Sequence, residues 1–223
     1  MIDAQTPELR LDAVRTVIQN SSLKAQRFAA DVTLIAVSKM QHADAIQPLI
    51  SAGQRVFGEN RVQEAASKWP ALRDQTPDIA LHLIGQLQSN KANEAVALFD
   101  AIHSVDRPSL VTALARAMDK ADKRPDCFIQ VDLAEEPQKG GCAVRDLPAL
   151  LSQARDTKLP IAGLMTVPPI GLEPAPWFAL LAKLGADYGL ARLSMGMSSD
   201  YATAVTLGAT HVRVGTALFG ARE

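Results

Sequence analysis

Leu34-Ile35-Ala36-Val37-Ser38-Lys39 is an apolar, β-branched run that closes on a lysine. It reads as a buried strand, and a helical segment begins just after it at about His42. A lysine ending the first core strand of an α/β protein stands at the carboxyl end of a strand, where such folds place their chemistry. Any chain emerging into solvent can also end a strand on lysine, so the meaning of Lys39 depends on what the other strand ends carry.

Upstream, Thr6-Pro7-Glu8 supplies a cap, a proline at the first helical position and an early acidic residue. These predict a helix over about 6–30 with Leu9, Leu11, Val14, Val17 and Ile18 on its apolar face. Downstream, seven further strand-like runs follow: Arg55–Glu59, Ala80–Gly85, Ala101–Asp106, Cys127–Leu133, Ile161–Val167, Arg192–Met197 and His211–Gly215. Helical patterns lie between them, including one ended by Gly53, one carrying Val62, Ala65, Ala66 and Trp69, and one with Leu110, Leu114 and Met118 on its inner side. Residues 134–142 read as a loop, and Pro168, Pro169, Gly171, Pro174 and Pro176 make a stiff one. Alternating strands and helices give a parallel sheet. Eight alternations close into a (β/α)₈ TIM barrel, whereas an open doubly wound sheet usually has five or six strands. The expectation is α/β, a single barrel domain over 1–223 with an extra N-terminal helix.

The barrel would bring the strand exits onto one rim: Lys39, Glu59-Asn60, Gly85 with Gln88 to Lys91, Ser104 to Asp106, Asp132, Met165-Thr166, Met197-Ser198 and Gly215-Thr216. Small and polar residues of this kind suit a ligand mouth.

The 223 residues carry 23 Lys+Arg against 24 Asp+Glu, so no global basic field points to nucleic acid. Cys127 and Cys142 have neither metal-site nor disulfide-framework spacing and read as reduced thiols. Met1–Thr6 lacks the basic and apolar regions of a secretory signal, and no apolar run approaches the roughly 20 residues of a membrane helix. A cytoplasmic protein without a nucleic-acid or membrane partner is expected. The lack of an exposed heptad or long apolar helix face favours a monomer.

An amine attacks a carbonyl only when neutral, and partial burial at a barrel mouth penalises the charged form of a lysine, so Lys39 could form a Schiff base. Near the carboxy terminus, Ser194-Met195-Gly196-Met197-Ser198 and Arg213-Val214-Gly215-Thr216 pair glycines with hydroxyls. Backbone N–H groups, Ser198, Thr216 and a following helix start would form a phosphate cradle, which barrels commonly place after strands seven and eight. The same glycines could simply permit tight turns. Arg213 lies two residues before Gly215, hence on the same side of its strand; it could form a structural ion pair or face a heteroaromatic cofactor ring. His82, His103 and His211 read as packing groups, and Met165, Met195 and Met197 likewise. HExxH, Walker A and GxSxG patterns do not occur.

Ala36–Lys39, Gly58–Glu64, His82–Lys91, Leu193–Ser198 and Val212–Gly220, in this order, resemble the motifs of the YggS/PROSC-type pyridoxal 5′-phosphate homeostasis proteins, from about Leu34 to Arg222. The resemblance implies a barrel similar to the amino-terminal domain of alanine racemase, with pyridoxal phosphate as a Schiff base on Lys39. Ser198, Gly215 and Thr216 would hold its phosphate and Arg213 would face the pyridine nitrogen; Asn60, His82 and Met197 would complete the pocket. No catalytic residue and no metal is implied, and the partners would be pyridoxal phosphate and pyridoxal-phosphate-dependent apo-enzymes as recipients. Arg61 departs from the aromatic residue that relatives often carry. The chain stops three residues after Gly220, so the second domain that gives a racemase its tyrosine base is not expected. Without one of two opposed acid-base groups, each typically worth about 10²–10⁴ in rate, stereoinversion should be poor. The alternatives are a pyridoxal-phosphate-dependent amino-acid racemase and a Schiff-base aldolase.

Overall fold

The computed structural model describes residues 6–136 and 140–220. Its strands are β1 (Thr33–Val37), β2 (Val56–Glu59), β3 (Ala80–Leu83), β4 (Ala101–Val105), β5 (Asp126–Asp132), a two-residue β6 (Cys142–Ala143), β7 (Ile161–Met165), β8 (Arg192–Met197) and β9 (His211–Val214). Parallel pairing runs from β4 through β3, β2, β1, β9, β8 and β7 to β5, and β4 pairs with β5, which closes an eight-strand barrel; β6 is appended to β5. The expected fold is present.

The helices are α1 (Pro7–Lys24), α2 (Ala43–Ser51), α3 (Val62–Gln75), α4 (Ala92–Leu98), α5 (Pro108–Ala121), α6 (Leu147–Asp156), α7 (Ala175–Asp187), α8 (Tyr201–Thr206) and α9 (Thr216–Phe219). Because successive strand residues point to opposite faces, one set packs outward and the other fills the barrel. Ala36, Phe57, Leu81, Ile129 and Val212 join Ile46, Trp69, Leu114 and Phe178 of the helices in one continuous apolar layer. Inside, Phe128 stacks on His103 with ring centroids 4.2 Å apart, and Ile35 and Met165 are also fully buried.

Helix α1 departs from its expected length. It ends at Lys24 because Gln26 takes a left-handed φ of 55°, which lets the N–H of Arg27 reach the carbonyl of Ser22 at 2.9 Å and close the last turn. A 3₁₀ turn, Ala29–Asp31, then leads into β1. Leu11, Val14 and Ile18 are buried at helical spacing, whereas Leu9 lies about 200° around the helix from Leu11 and is exposed. Strand β1 stops at Val37, β6 is an addition to the expected elements, and the helix start expected beyond Gly215 is the single turn α9. The loop read over 134–142 includes residues 137–139, and the leader reading over 1–6 includes residues 1–5; residues 137–139 and 1–5 lie outside the described residues.

Candidate functional site

A cavity of about 710 Å³ opens at the carboxyl end of the barrel. Lys39 and Gln41 enter it from the β1 exit, Asn60 from β2, Met197 and Ser198 from β8, and Arg213, Gly215 and Thr216 from β9. Seven of the eight expected site residues therefore share one wall system. Ring closure is the cause: β1 lies beside β9, with Ile35 in register with Arg213, so the first and last strand exits of the chain become neighbours. Asn60 is pressed into place by Gly85, where a Cβ atom would lie 2.3 Å from the Asn60 carbonyl oxygen.

The β8 and β9 exits are tied together. The N–H of Gly215 donates to Ser198 Oγ at 3.1 Å, leaving the Ser198 hydroxyl proton available, and Asp200 accepts from the Met197 N–H. Helix α9 is a single turn, Thr216–Phe219, too short for the aligned dipoles expected of a helix start. The N–H groups of Leu218 and Phe219 donate to the Gly215 carbonyl at 2.8 and 3.0 Å, so what α9 offers is the N–H of its first residue, Thr216, which has no partner within the helix, and the Thr216 hydroxyl.

Arg213 is buried on the cavity floor, donating through Nη1 to Ser194 Oγ at 2.7 Å and through Nη2 to the Thr166 carbonyl at 2.9 Å. Burial pushes its pKa down to about 10, with the Asp200 charge opposing the shift. It stays protonated at neutral pH and can only donate hydrogen bonds.

His82 is not among the lining residues. It sits behind Arg213 in a chain in which Ser194 Oγ meets His103 Nδ1 at 2.8 Å and His103 Nε2 meets His82 Nδ1 at 3.0 Å. Ser194 accepts from Arg213, so its own proton passes to His103 Nδ1; His103 then donates from Nε2 to His82. Burial lowers His82 to about 4 and His211 to about 3, and drives His103 well below its ordinary value. These are neutral interior groups, in keeping with their packing reading. Burial likewise pushes Cys142 up to about 12 and Cys127 higher still, so neither is a ready thiolate.

Gln41, Ile84, Val167, Ser199, Phe219 and Gly220 also line the cavity. Two of them carried a usable signal: Gln41 lies two residues beyond Lys39, and Ile84 shares the parity of His82. A second cavity of about 480 Å³ opens at the other end of the barrel beside Arg15, Gln54 and Arg55. There Arg55 is committed to Asp78 and the Ile50 carbonyl, and Gln54 to the Leu34 and Val56 carbonyls. Among the described residues, no group of three or more His, Cys, Asp or Glu could hold a metal, and no helix is long and apolar enough to cross a membrane.

Residues 11–223 match the family described as alanine racemase, N-terminal domain. The chain is 40% identical over 212 residues to the pyridoxal phosphate homeostasis protein of Pseudomonas aeruginosa, covering 92% of this chain and 91% of that protein. The chain belongs to this family. Another member, the pyridoxal phosphate homeostasis protein of Synechocystis, is 40% identical over 86% of this chain and 92% of its own length. A solved family member, PipY of Synechococcus elongatus without pyridoxal phosphate, is 43% identical with a TM-score of 0.87, covering 97% of this chain and all of that one. PipY with pyridoxal phosphate bound is 42% identical with a TM-score of 0.79, covering 92% and 100%. Alanine racemase of Clostridium difficile shares the fold at a TM-score of 0.70 and 11% identity; 93% of this chain matches 56% of that enzyme.

Proposed function

We propose that this chain binds pyridoxal 5′-phosphate in the rim cavity, tethered through Lys39, and serves intracellular homeostasis of that cofactor without substantial catalysis. The observation that carries the reading is a donor set: one primary amine, one fixed cation, and a Ser198, Gly215 and Thr216 cluster around a single cavity. The names of the relatives and the cofactor in PipY support it. A cavity of about 710 Å³ lies within the usual range for small-molecule sites.

When bound, pyridoxal phosphate would supply an aldehyde, and Lys39 would be the amine that holds it by reversible condensation with loss of one water. Ser198 and Thr216 would donate their hydroxyl protons to phosphate oxygens, with the Thr216 N–H beside them. Arg213 holds its proton and donates toward the ring nitrogen, which therefore remains unprotonated and withdraws electrons weakly. Of the described lining residues, Lys39 and Arg213 are the titratable ones. With the amine committed to the tether and the guanidinium fixed by Ser194 and Thr166, no second acid-base group among the described lining residues faces Lys39, which supports a holding role. The held cofactor passes to pyridoxal-phosphate-dependent apo-enzymes, with the chain acting as a cytoplasmic monomer.

Mixing the protein with pyridoxal phosphate should give a visible absorption band that survives desalting, and the Lys39→Ala variant should stay colourless. Amino acids incubated with the loaded protein in deuterated water should show no α-carbon exchange. A wild type that never acquires the band contradicts the proposal, and rapid exchange restores the racemase alternative.

A further inference from the structure

Lys39 stands at the corner of a tight turn. The N–H of Gln41 donates to the Ser38 carbonyl at 3.0 Å, and Met40, at the third position, takes a left-handed φ of 60°. That position normally calls for glycine or asparagine, and a side chain there is strained because its Cβ crowds the backbone. Something must hold the turn.

One charge network does so from beneath. Lys68 Nζ, on α3, donates to the Ser38 carbonyl at 2.8 Å and the Gln41 carbonyl at 3.1 Å, the two ends of the turn. It lies 2.9 Å from both Glu59 Oε1 and Glu64 Oε1. Glu64 accepts the N–H of Met40, the strained residue. Fully buried Glu59 accepts the Ser38 hydroxyl at 2.6 Å and the Trp69 indole N–H at 3.0 Å. Burial tends to raise the Glu64 carboxyl, yet the hydrogen bonds from Lys68 and Met40 with the Lys68 and Arg61 charges hold it below its ordinary value. Apolar side chains could fill this space without the desolvation penalty of buried ions. What the ions add is direction, since a single ammonium grips both ends of the turn and the carboxylate at the end of β2, next to Asn60.

We propose that Lys68 is a positioning residue for Lys39: with Glu59 and Glu64 it fixes the Ser38–Gln41 turn so that the Lys39 amine meets the aldehyde of a ligand already seated by its phosphate. This rests on the reading of Lys39 as the tether. Lys68 does not line the cavity, and the Ser198, Gly215 and Thr216 cluster belongs to other strands.

The test separates the covalent from the non-covalent share of binding by comparing pyridoxal 5′-phosphate with pyridoxine 5′-phosphate, whose alcohol cannot condense with an amine. Lys68→Met should raise the dissociation constant for the aldehyde about tenfold or more, since only chains with the turn in place can close the linkage and the apparent dissociation constant rises as that fraction falls, and should leave that for the alcohol within about twofold. Glu64→Ala, which keeps the Lys68–Glu59 pair and removes the Met40 acceptor, should give the same split, and it answers the question if Lys68→Met does not fold. In a Lys39→Ala background Lys68→Met should change neither ligand, the coupling expected of two residues acting on one step. Equal loss for both ligands, no loss for either, or an undiminished effect without Lys39 overturns the proposal. Failure of the underlying reading is visible separately, as a wild type whose aldehyde affinity is the same with and without Lys39.

Discussion

Ile35 on β1 and Arg213 on β9 are register partners across the seam where the barrel closes. Two residues further along each strand, Val37 lies against Gly215, where an added Cβ would be 3.4 Å from the Val37 side chain. The amine-bearing loop and the hydroxyl-bearing loops are thus two sides of one seam, and strand pairing fixes the distance between them.

Removing the Ser198 hydroxyl should weaken the phosphate side of the seam. Ser198→Ala loses both a donor to the ligand and the acceptor of the Gly215 N–H. We expect about tenfold weaker binding of pyridoxine 5′-phosphate, as for a lost hydrogen bond to a charged group, with a stability loss of about 1 kcal/mol by urea unfolding. Unchanged affinity would remove Ser198 from the site.

Arg213→Met should cost stability as well as binding. The substitution leaves the Ser194 hydroxyl and the Thr166 carbonyl without their buried donor, a loss of about 2–4 kcal/mol. Urea titration of the ligand-free protein measures it directly, and a cost under about 0.5 kcal/mol would show that the guanidinium is not held as described.

Two glycines with similar backbone angles should respond differently to alanine. Gly196 has φ 94° and its added Cβ would lie 2.5 Å from the Ala204 Cβ, whereas Gly171 has φ 80° and open space around it. Gly171→Ala should cost about 1–2 kcal/mol for the backbone alone, and Gly196→Ala about 2–4 kcal/mol from backbone plus overpacking. Equal thermal shifts would contradict this packing.

The interior histidines set a pH dependence. His82 at about 4 and His211 at about 3 in the folded chain compare with about 6.5 when unfolded. Between these values the unfolded chain binds more protons, so the stability they confer is complete above about pH 6.5 and is lost as the pH falls toward the folded values. Urea unfolding should show the protein about 2–4 kcal/mol less stable at pH 5 than at pH 7, and His82→Gln should flatten that slope. A flat profile over this range would mean that these imidazoles are solvated.

The barrel was legible because each strand announces itself locally: Leu34–Val37 is apolar and β-branched, and Gly53 ends the helix after it. The rim followed from counting, since residues at strand exits must share one end. Lys39, Ser198 and Gly215 could be placed there without knowing any contact. The Lys68 network was not legible, because Glu64 and Lys68 at helical spacing look like a solvated ion pair until α3 is seen packed beneath the Lys39 turn. The same limit applies to Ser194, whose strand β8 faces His103 on β4 across the barrel interior only after closure. Helix α9 and strand β6 are too short to carry a periodic signal.

The central claim is tested most directly by borohydride reduction of the protein mixed with pyridoxal phosphate, followed by peptide mapping in the mass spectrometer. The account predicts one pyridoxyl-phosphate adduct, on Lys39. An adduct on another lysine, or none at all, would contradict it.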